Sequence, residues 1–506
     1  MQRSVGINCE AVKVLIANRG EIAVRVIRAC RELGYSTVAV YSVPDRAALH
    51  VLYADQAMPI GPAPSRESYL RMDRILDAAK KTGADAIHPG YGFLAENATF
   101  ARACRDEGIL FIGPSPESIE AMGSKTESRQ RMKAAGIPVV PGLTEPVRSV
   151  DEIVAFAREA GFPIMIKASA GGGGKGLRYV EREEDLRPAF DRVRSEGQSF
   201  FGDDAVYAEK FIAAPRHIEV QVLGDQHGTL LHIGERECTL QRRHQKVVEE
   251  CPSPVVNEAL RRKLGEMAVR AAKAVNYYSA GTIECLMGQD QQFYFLEMNT
   301  RLQVEHPVTE MVWGVDLVKE QLRVARGEKV TLPDLKPSGH AIECRIYAED
   351  PTRHFAPSPG VIRYINLPEG PGVRNDNGVY SGYTVPVFYD PMLSKLICHA
   401  ATRAETIARM KRALIEYRVE GIETTIPFFT ALMEHPSFVD AQFDTGFLDR
   451  NLGELTKERG ADRDVEAAIA AAAILAFEES QLVRLPEQGD SPWKRAGRIE
   501  ALKDLP

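Results

Sequence analysis

Between Phe293 and Pro307 the sequence reads FYFLEMNTRLQVEHP, an apolar run that turns into a row of charges and amides. Glu297, Asn299, Arg301, Gln303 and Glu305 fall at every second position. Alternate residues of a strand share a face, so Glu297, Asn299 and Arg301 are expected on one side. Carboxylates beside a buried run must be paired or must bind a cation. GTIECLMG reads as the antiparallel partner of QQFYFLEMN and brings Glu284 beside Glu297. Two carboxylates and an amide oxygen make a hard oxygen site, the kind that takes Mg2+ together with substrate phosphates. The competing reading is a solvated edge strand laced with salt bridges. The apolar FYFL and TIECLM runs argue against it.

A second constellation is KASAGGGGKGLRYV. Gly171, Gly173 and Gly176 satisfy G-x-G-x-x-G, but LRYV reads as a strand where the dinucleotide fingerprint needs a helix. The phosphate-loop pattern fails too, because Gly176 and not Ser or Thr follows Lys175. What remains is a Gly-rich hairpin tip, either a plain surface turn or a set of backbone N–H groups able to close over a polyphosphate. Lys167, at the end of the preceding strand, is a point charge suited to phosphate and favours the second reading. A basic cluster, Gln241, Arg242, Arg243, His244 and Lys246, follows in ERECTLQRRHQKVVEE. Alone it reads as a solvated face; beside a polyphosphate site it reads as an anion site. The scattered His50, His340, His399 and His435 read as structural or surface groups.

These side chains need a scaffold. VKVLIANRGEIAVRVIRACRELG reads as strand, turn and helix, with Ile22, Val26, Ile27, Cys30 and Leu33 as the buried stripe. Strands then alternate with helices, so the first ~120 residues are expected to form an open α/β domain on a parallel sheet. A second unit starts near AMGSKTESRQRMKAAGIPVVPG, and a third, rich in Gly, Pro and strand signals, near GHAIECRIYAED. The expected boundaries are 1–122, 123–338 with a mobile lid at about 140–210, 339–453, and a linker with an Ala-rich helix (Val465 to Phe477) at 454–506. That helix reads as a packing element or a docking element. A chain of 506 residues is too long for one core. The net charge of -7 and the lack of a basic stripe argue against a nucleic-acid partner. Eight scattered Cys without a CxxC pair point to reduced thiols and a cytoplasmic protein. The start lacks a signal-peptide pattern, and the Ala-rich stretch is too short to span a bilayer.

The Gly-rich hairpin, the lysines and the Glu/Glu-x-Asn strand pair together resemble the ATP-grasp fold. IANRGEIAVRVIRAC, HPGYGFLAEN, KASAGGGGKG, QRRHQKVVEE and EMNTRLQVEHPVTE, in that order, resemble the biotin carboxylase family over roughly residues 10 to 450. This family serves acetyl-CoA, propionyl-CoA and pyruvate carboxylases. The resemblance implies an N-terminal open α/β domain, a central ATP-grasp domain with a mobile Gly-rich lid, and a β-rich α+β C-terminal domain. It implies ATP phosphates on Lys125, Lys167, Gly173 and Gly174. It places adenine against Glu209, Lys210, Phe211 and Ile212, with His217, Gln241 and His244 near ribose and phosphates. Glu284, Glu297 and Asn299 would hold two Mg2+ ions, with Mn2+ as a substitute. Bicarbonate would meet Lys246, Arg301, Gln303 and Val304. Glu305 is the implied general base, Arg345 the counter-charge for the biotin enolate, and Tyr91 a neighbour of the biotin ring. Lys175 and Ala170 depart from members that carry Arg or Gly there and remove no named role.

The implied chemistry suits these charges. Bicarbonate is an anion, and its attack on the ATP γ-phosphate needs cations such as Lys246 and Arg301. Carboxyphosphate is unstable in water, which a closing lid would exclude. Two rivals carry different signatures. Another ATP-grasp ligase, of carbamoyl-phosphate or purine chemistry, is expected to lack RLQVEHPVTE and HPGYGFLAEN together. A silent scaffold protein is expected to have lost a metal Glu or the base. No AMKM-like biotinylation string stands near the C-terminus; QRMKAAG at Lys133 lies in helical context. The chain is therefore expected to act on biotin borne by a separate carrier protein, to work with a carboxyltransferase, and to form a homodimer, with no membrane partner.

Overall fold

The computed structural model describes residues 12–457 apart from 144, 148, 169–175, 244, 333 and 334, together with a helix at 461–481 and the single positions 493, 496 and 500. Residues up to Thr456 form one unit.

Its first sheet orders five strands as β3-β2-β1-β4-β5, with β1 Lys13–Ile16, β2 Ser36–Ser42, β3 Gln56–Gly61, β4 Ala86–His88 and β5 Leu110–Phe111. Every pairing is parallel. Parallel strands covered on both faces read as continuous apolar runs, and KVLI and STVAVYS do. Helix α1, Gly20–Glu32, carries the expected stripe, but burial extends well beyond it to Glu21, Val24, Arg25 and Ala29. One face packs on the sheet and the other meets strands far along the chain, so two faces need covering.

Three antiparallel strands, β6 Ile164–Ala168, β7 Leu177–Val180 and β8 Val206–Lys210, pair in the order β7-β6-β8 and build a small core around Ile164, Ile166, Phe190 and Val206. The expected hairpin is present as β6 and β7; its tip, with Gly173 and Gly174, lies outside the described residues.

An eight-stranded sheet forms the middle of the unit. Its strands are β9 Arg216–Gly224, β10 Leu230–Arg242, β11 Gln245–Cys251, β12 Ser279–Met287, β13 Phe293–Asn299, β14 His340–Tyr347, β15 Val373–Asn377 and β16 Met392–Ala400, in the order β13-β12-β9-β10-β11-β14-β16-β15. One ladder therefore joins the central strands to those of the C-terminal part, through the β11–β14 pairing of Val248 with Cys344 and Glu249 with Glu343. Helix α2, Lys125–Ala134, follows the first domain, and α3, His306–Trp313, starts where the β13 exit ends.

Separately, Ala461–Gln481 forms a helix, α4, longer than the Val465–Phe477 run read from Ala content. The flanking Arg, Glu and Gln are good helix formers, Asp suits a first turn, and neither Gly nor Pro stands within 461–481 to end the helix. No helix among the described residues is long and apolar enough to cross a membrane.

Candidate active site

The register of the eight-stranded sheet builds the site. Glu297 on β13 stands opposite Glu284 on β12, and Glu284 stands opposite Glu219 on β9. Three carboxylates in one cross-strand row repel one another unless cations are supplied. Lys246, at the start of β11, supplies one: its ammonium donates to Glu219 at 2.5 Å, Glu284 at 2.8 Å and Glu305 at 2.6 Å. Arg236, wholly buried on β10, donates to Glu219 and to Gln221, Thr282 and Thr309.

Strand β13 ends at Asn299, so Arg301, Gln303 and Glu305 do not continue its alternation. A turn gathers them instead. Arg301 donates to Asn299 Oδ1 at 2.9 Å, to Gln303 Oε1 at 2.8 Å and to Glu96 at 2.8 Å. The Asn299 and Gln303 amides both donate to Glu284 Oε1, at 2.8 and 3.1 Å. Glu305 lies fully buried just before α3, where Arg345 donates to its other oxygen at 3.0 Å. Arg345 also donates to Glu249 at 2.7 Å.

Burial pushes the Glu305 carboxyl up, but Lys246, Arg345 and Arg236 outweigh it and hold the group well below the usual range. Burial is likewise outweighed at Glu284, by Lys246 and His217, whose Nε2 is 3.0 Å from its carboxylate. Lys246 is raised well above the ordinary lysine value, because the three carboxylates overcome its desolvation. Glu249 goes the other way: burial pushes it up to about 7 despite Arg345.

A cavity of about 880 Å³ opens over this arrangement. Of the residues singled out from the sequence, Tyr91, Lys167, Glu209, His217, Gln241, Lys246, Glu284, Glu297, Asn299, Arg301, Gln303, Val304 and Arg345 line it. Glu305 is sealed beneath, reached through Lys246 and Arg345. Lys167 pairs with Glu209, which also accepts from Arg129 at 2.7 Å. Lys210, Phe211 and Ile212 do not line the cavity. The Lys210 ammonium caps the carbonyls of Gly161 and Phe162, and the Phe211 ring packs edge-on against Tyr179. His244 and the Lys125 side chain, like the hairpin tip, lie outside the described residues.

The row of Glu297 and Glu284 with the Asn299 amide, open to the cavity, is a hard oxygen donor set and fits a divalent cation. His217, Glu219 and Glu284 also bring donor atoms within 4.8 Å of one another.

Sequence reading missed Glu219, Arg236, Glu249, Arg129 and Glu96. For the first three the signal was present: charged residues inside the runs HIEVQV, HIGERECTL and KVVEE, which read as strands. Arg129 and Glu96 act across long sequence separations and left no local pattern.

Family models match in three consecutive stretches: "Biotin carboxylase, N-terminal domain" over 10–119, "Carbamoyl-phosphate synthase L chain, ATP binding domain" over 124–333, and "Biotin carboxylase C-terminal domain" over 343–450. A biotin carboxylase of Halalkalibacterium halodurans is 54% identical over 442 residues, covering 87% of this chain and 98% of that protein. The chain belongs to the biotin carboxylase family. A pyruvate carboxylase subunit from Methanothermobacter thermautotrophicus is 50% identical over 492 residues, 97% of each chain. Among solved structures, a Campylobacter jejuni biotin carboxylase β-γ-ATP complex matches with a TM-score of 0.83 and 47% identity, covering 87% of this chain and 99% of that one. The biotin carboxylase domain dimer of Hydrogenobacter thermophilus 2-oxoglutarate carboxylase, with MgADP, ADP and bicarbonate, matches with a TM-score of 0.84 and 46% identity, covering 88% and 99%. Family membership makes the chain an ATP-grasp ligase, and the α/β architecture above is that of the biotin carboxylases.

Proposed function

We propose that this chain carboxylates biotin on a separate carrier protein, using ATP and bicarbonate with carboxyphosphate as the intermediate. The carrying observation is Glu305, a sealed carboxylate bridged by Lys246 and Arg345 at the joint between the oxygen-donor wall and the Arg301–Val304 turn. Glu284, Glu297 and Asn299 would hold Mg2+, or Mn2+ in its place, which when bound offsets phosphate charge. Lys125, Lys167, Gly173 and Gly174 meet the phosphates. The segment Glu209 to Ile212 takes adenine, and His217, Gln241 and His244 lie toward ribose and phosphates.

Bicarbonate sits among Lys246, Arg301, Gln303 and Val304. An anion there shares Lys246 and Arg301 with the resident carboxylates, which raises the proton affinity of Glu305 and makes it a competent base. Glu305 takes the bicarbonate proton, a bicarbonate oxygen attacks the γ-phosphorus, and ADP leaves. Carboxyphosphate splits to carbon dioxide and phosphate, and that phosphate takes the biotin N1 proton. Arg345 offsets the enolate charge beside Tyr91, and the enolate nitrogen attacks carbon dioxide.

The same reading divides the chain at 122, 338 and 453, with the lid at about 140–210; the three family matches support it. A carboxyltransferase consumes the product, the chain pairs as a homodimer, and it works in the cytoplasm, where the seven described cysteines, all free and buried, stay reduced.

Two variants test the roles. Glu305→Gln is expected to bind ATP normally and lose about 10²–10⁴-fold in carboxybiotin formation. Arg345→Ala is expected to keep bicarbonate-dependent ATP cleavage and lose carboxybiotin. Near-normal turnover in the first, or equal losses in both assays for the second, contradicts the assignment.

A further inference from the structure

Lys395, on β16, has no exposed side-chain surface. Its ammonium donates to the Val304 carbonyl at 2.7 Å and stands 3.4 Å from Glu21 and 3.8 Å from Asp376. These partners come from three stretches: the turn between β13 and α3, the first turn of α1, and β15. A fully buried lysine is rare, and an ammonium taken from water without compensation costs several kcal/mol. Its surroundings are therefore informative.

Asp376 is already satisfied, because Arg374 grips both of its oxygens at 2.9 and 2.7 Å. Glu21 has only the long 3.4 Å contact to this ammonium and no well-aligned hydrogen bond among the described residues, and burial pushes its carboxyl up to about 7 even beside the lysine. Glu343, on β14, has no hydrogen-bond partner among the described residues and is pushed well above the usual range by burial. The close hydrogen bond of the ammonium thus goes to backbone, at one particular peptide. The Val304 carbonyl and the Glu305 N–H share one rigid plane. Fixing that oxygen fixes the plane through which the chain enters Glu305, whose carboxylate must meet Lys246 and Arg345.

We infer that Lys395 is a positioning residue for carboxylation, holding the Val304–Glu305 peptide so that the bicarbonate turn and the Glu305 carboxylate keep their mutual placement. The inference rests on the proposed roles of Val304 and Glu305. Lys167 and Glu209 belong to the separate β7-β6-β8 sheet, so loosening this peptide is expected to fall more heavily on bicarbonate use than on ATP binding.

The test uses the full chain with ATP, bicarbonate and free biotin. Lys395→Met removes the donor. Lys395→Met/Glu21→Gln removes it together with the nearest buried carboxylate and keeps the pocket neutral, so it carries the test where the single variant does not fold. Lys395→Arg keeps the charge and a donor. Both Met variants are expected to lose about 10- to 100-fold in kcat/KM for bicarbonate, the scale of a misplaced reacting group, with the KM for ATP within about threefold of wild type. Lys395→Arg is expected to recover most of the loss, and hydrogen exchange at residues 303–306 to quicken in the Met variants alone. Bicarbonate kinetics within about twofold of wild type overturn the inference. So do parallel rises in both KM values, which mark general damage, and wild-type kinetics in the double variant, which assign the defect to an unpaired Glu21. Glu305→Gln, run alongside, keeps the two readings apart. If it is fully active while Lys395→Met is impaired, the assignment of Glu305 fails; if it is inactive while Lys395→Met is normal, only the positioning role fails.

Discussion

Lys246 touches the carboxylates of Glu219, Glu284 and Glu305 at once, and this divides the buried acids of the molecule into two kinds. Glu284 and Glu305 are held ionised by neighbouring cations that outweigh burial. Their depressed values mean that the stability they contribute is present above the ordinary glutamate range and is lost only as pH falls well below it. Glu21 is of the other kind, pushed by burial up to about 7. A raised carboxyl contributes stability that is complete below its unfolded value and fades as pH rises toward the folded one, by about 1.4 kcal/mol per pH unit across that window. Glu21→Gln removes this dependence. The melting temperature of the variant relative to wild type is therefore expected to rise between about pH 5 and about pH 8. A difference that stays flat or falls would show that Glu21 titrates as an ordinary carboxylate.

At the scale of elements, the site is made by strand register and by the seat of α3. Gly234 lies in β10 at φ +65°, inside the irregular stretch between His232 and Glu235, and a β-carbon there would stand 2.4 Å from the Trp313 ring of α3. Any side chain must adopt a left-handed backbone and displace the Trp313 ring at the end of α3. Gly234→Ala is expected to destabilise the fold by about 1–3 kcal/mol and to lower bicarbonate-dependent turnover, because Glu305 leads directly into α3. Wild-type melting and turnover would show that α3 yields without moving Glu305. Much of this scale was legible in the sequence. Apolar runs on either side of QDQ and of the Gly-rich loop located the β12–β13 pair and the β6–β7 hairpin, and Glu284 does stand opposite Glu297. The exit from β13 was misjudged, since alternation cannot show where a strand gives way to a turn. The burial of Glu21, Arg25 and Lys395 was invisible too: each is polar in a local pattern and is buried by elements far along the chain.

Across the whole unit, a chain of charges ties its ends together. Arg25 of α1 meets Asp316 and Glu310, Glu310 meets Arg374 of β15, and Arg374 meets Asp376, which lies near Lys395. Glu310 also accepts from the Leu317 backbone at 2.8 Å. Removing it takes one carboxylate from Arg25, which keeps Asp316, and one from Arg374, which keeps Asp376, and leaves the Leu317 N–H without its acceptor. Glu310→Ala is expected to cost about 1–3 kcal/mol, the scale for leaving buried hydrogen-bonding groups short of a partner, and to lower the melting of the unit as a whole. A melting temperature unchanged from wild type would make the network decorative. The proposed function joins both halves of the site, with the oxygen-donor wall serving phosphate activation and the turn beyond it serving bicarbonate. Its most direct test supplies the purified chain with ATP, Mg2+, free biotin and labelled bicarbonate, and counts ADP and labelled carboxybiotin together. ADP release is expected to depend on bicarbonate, with label captured on biotin. ADP release indifferent to bicarbonate, with no label on biotin, would contradict it.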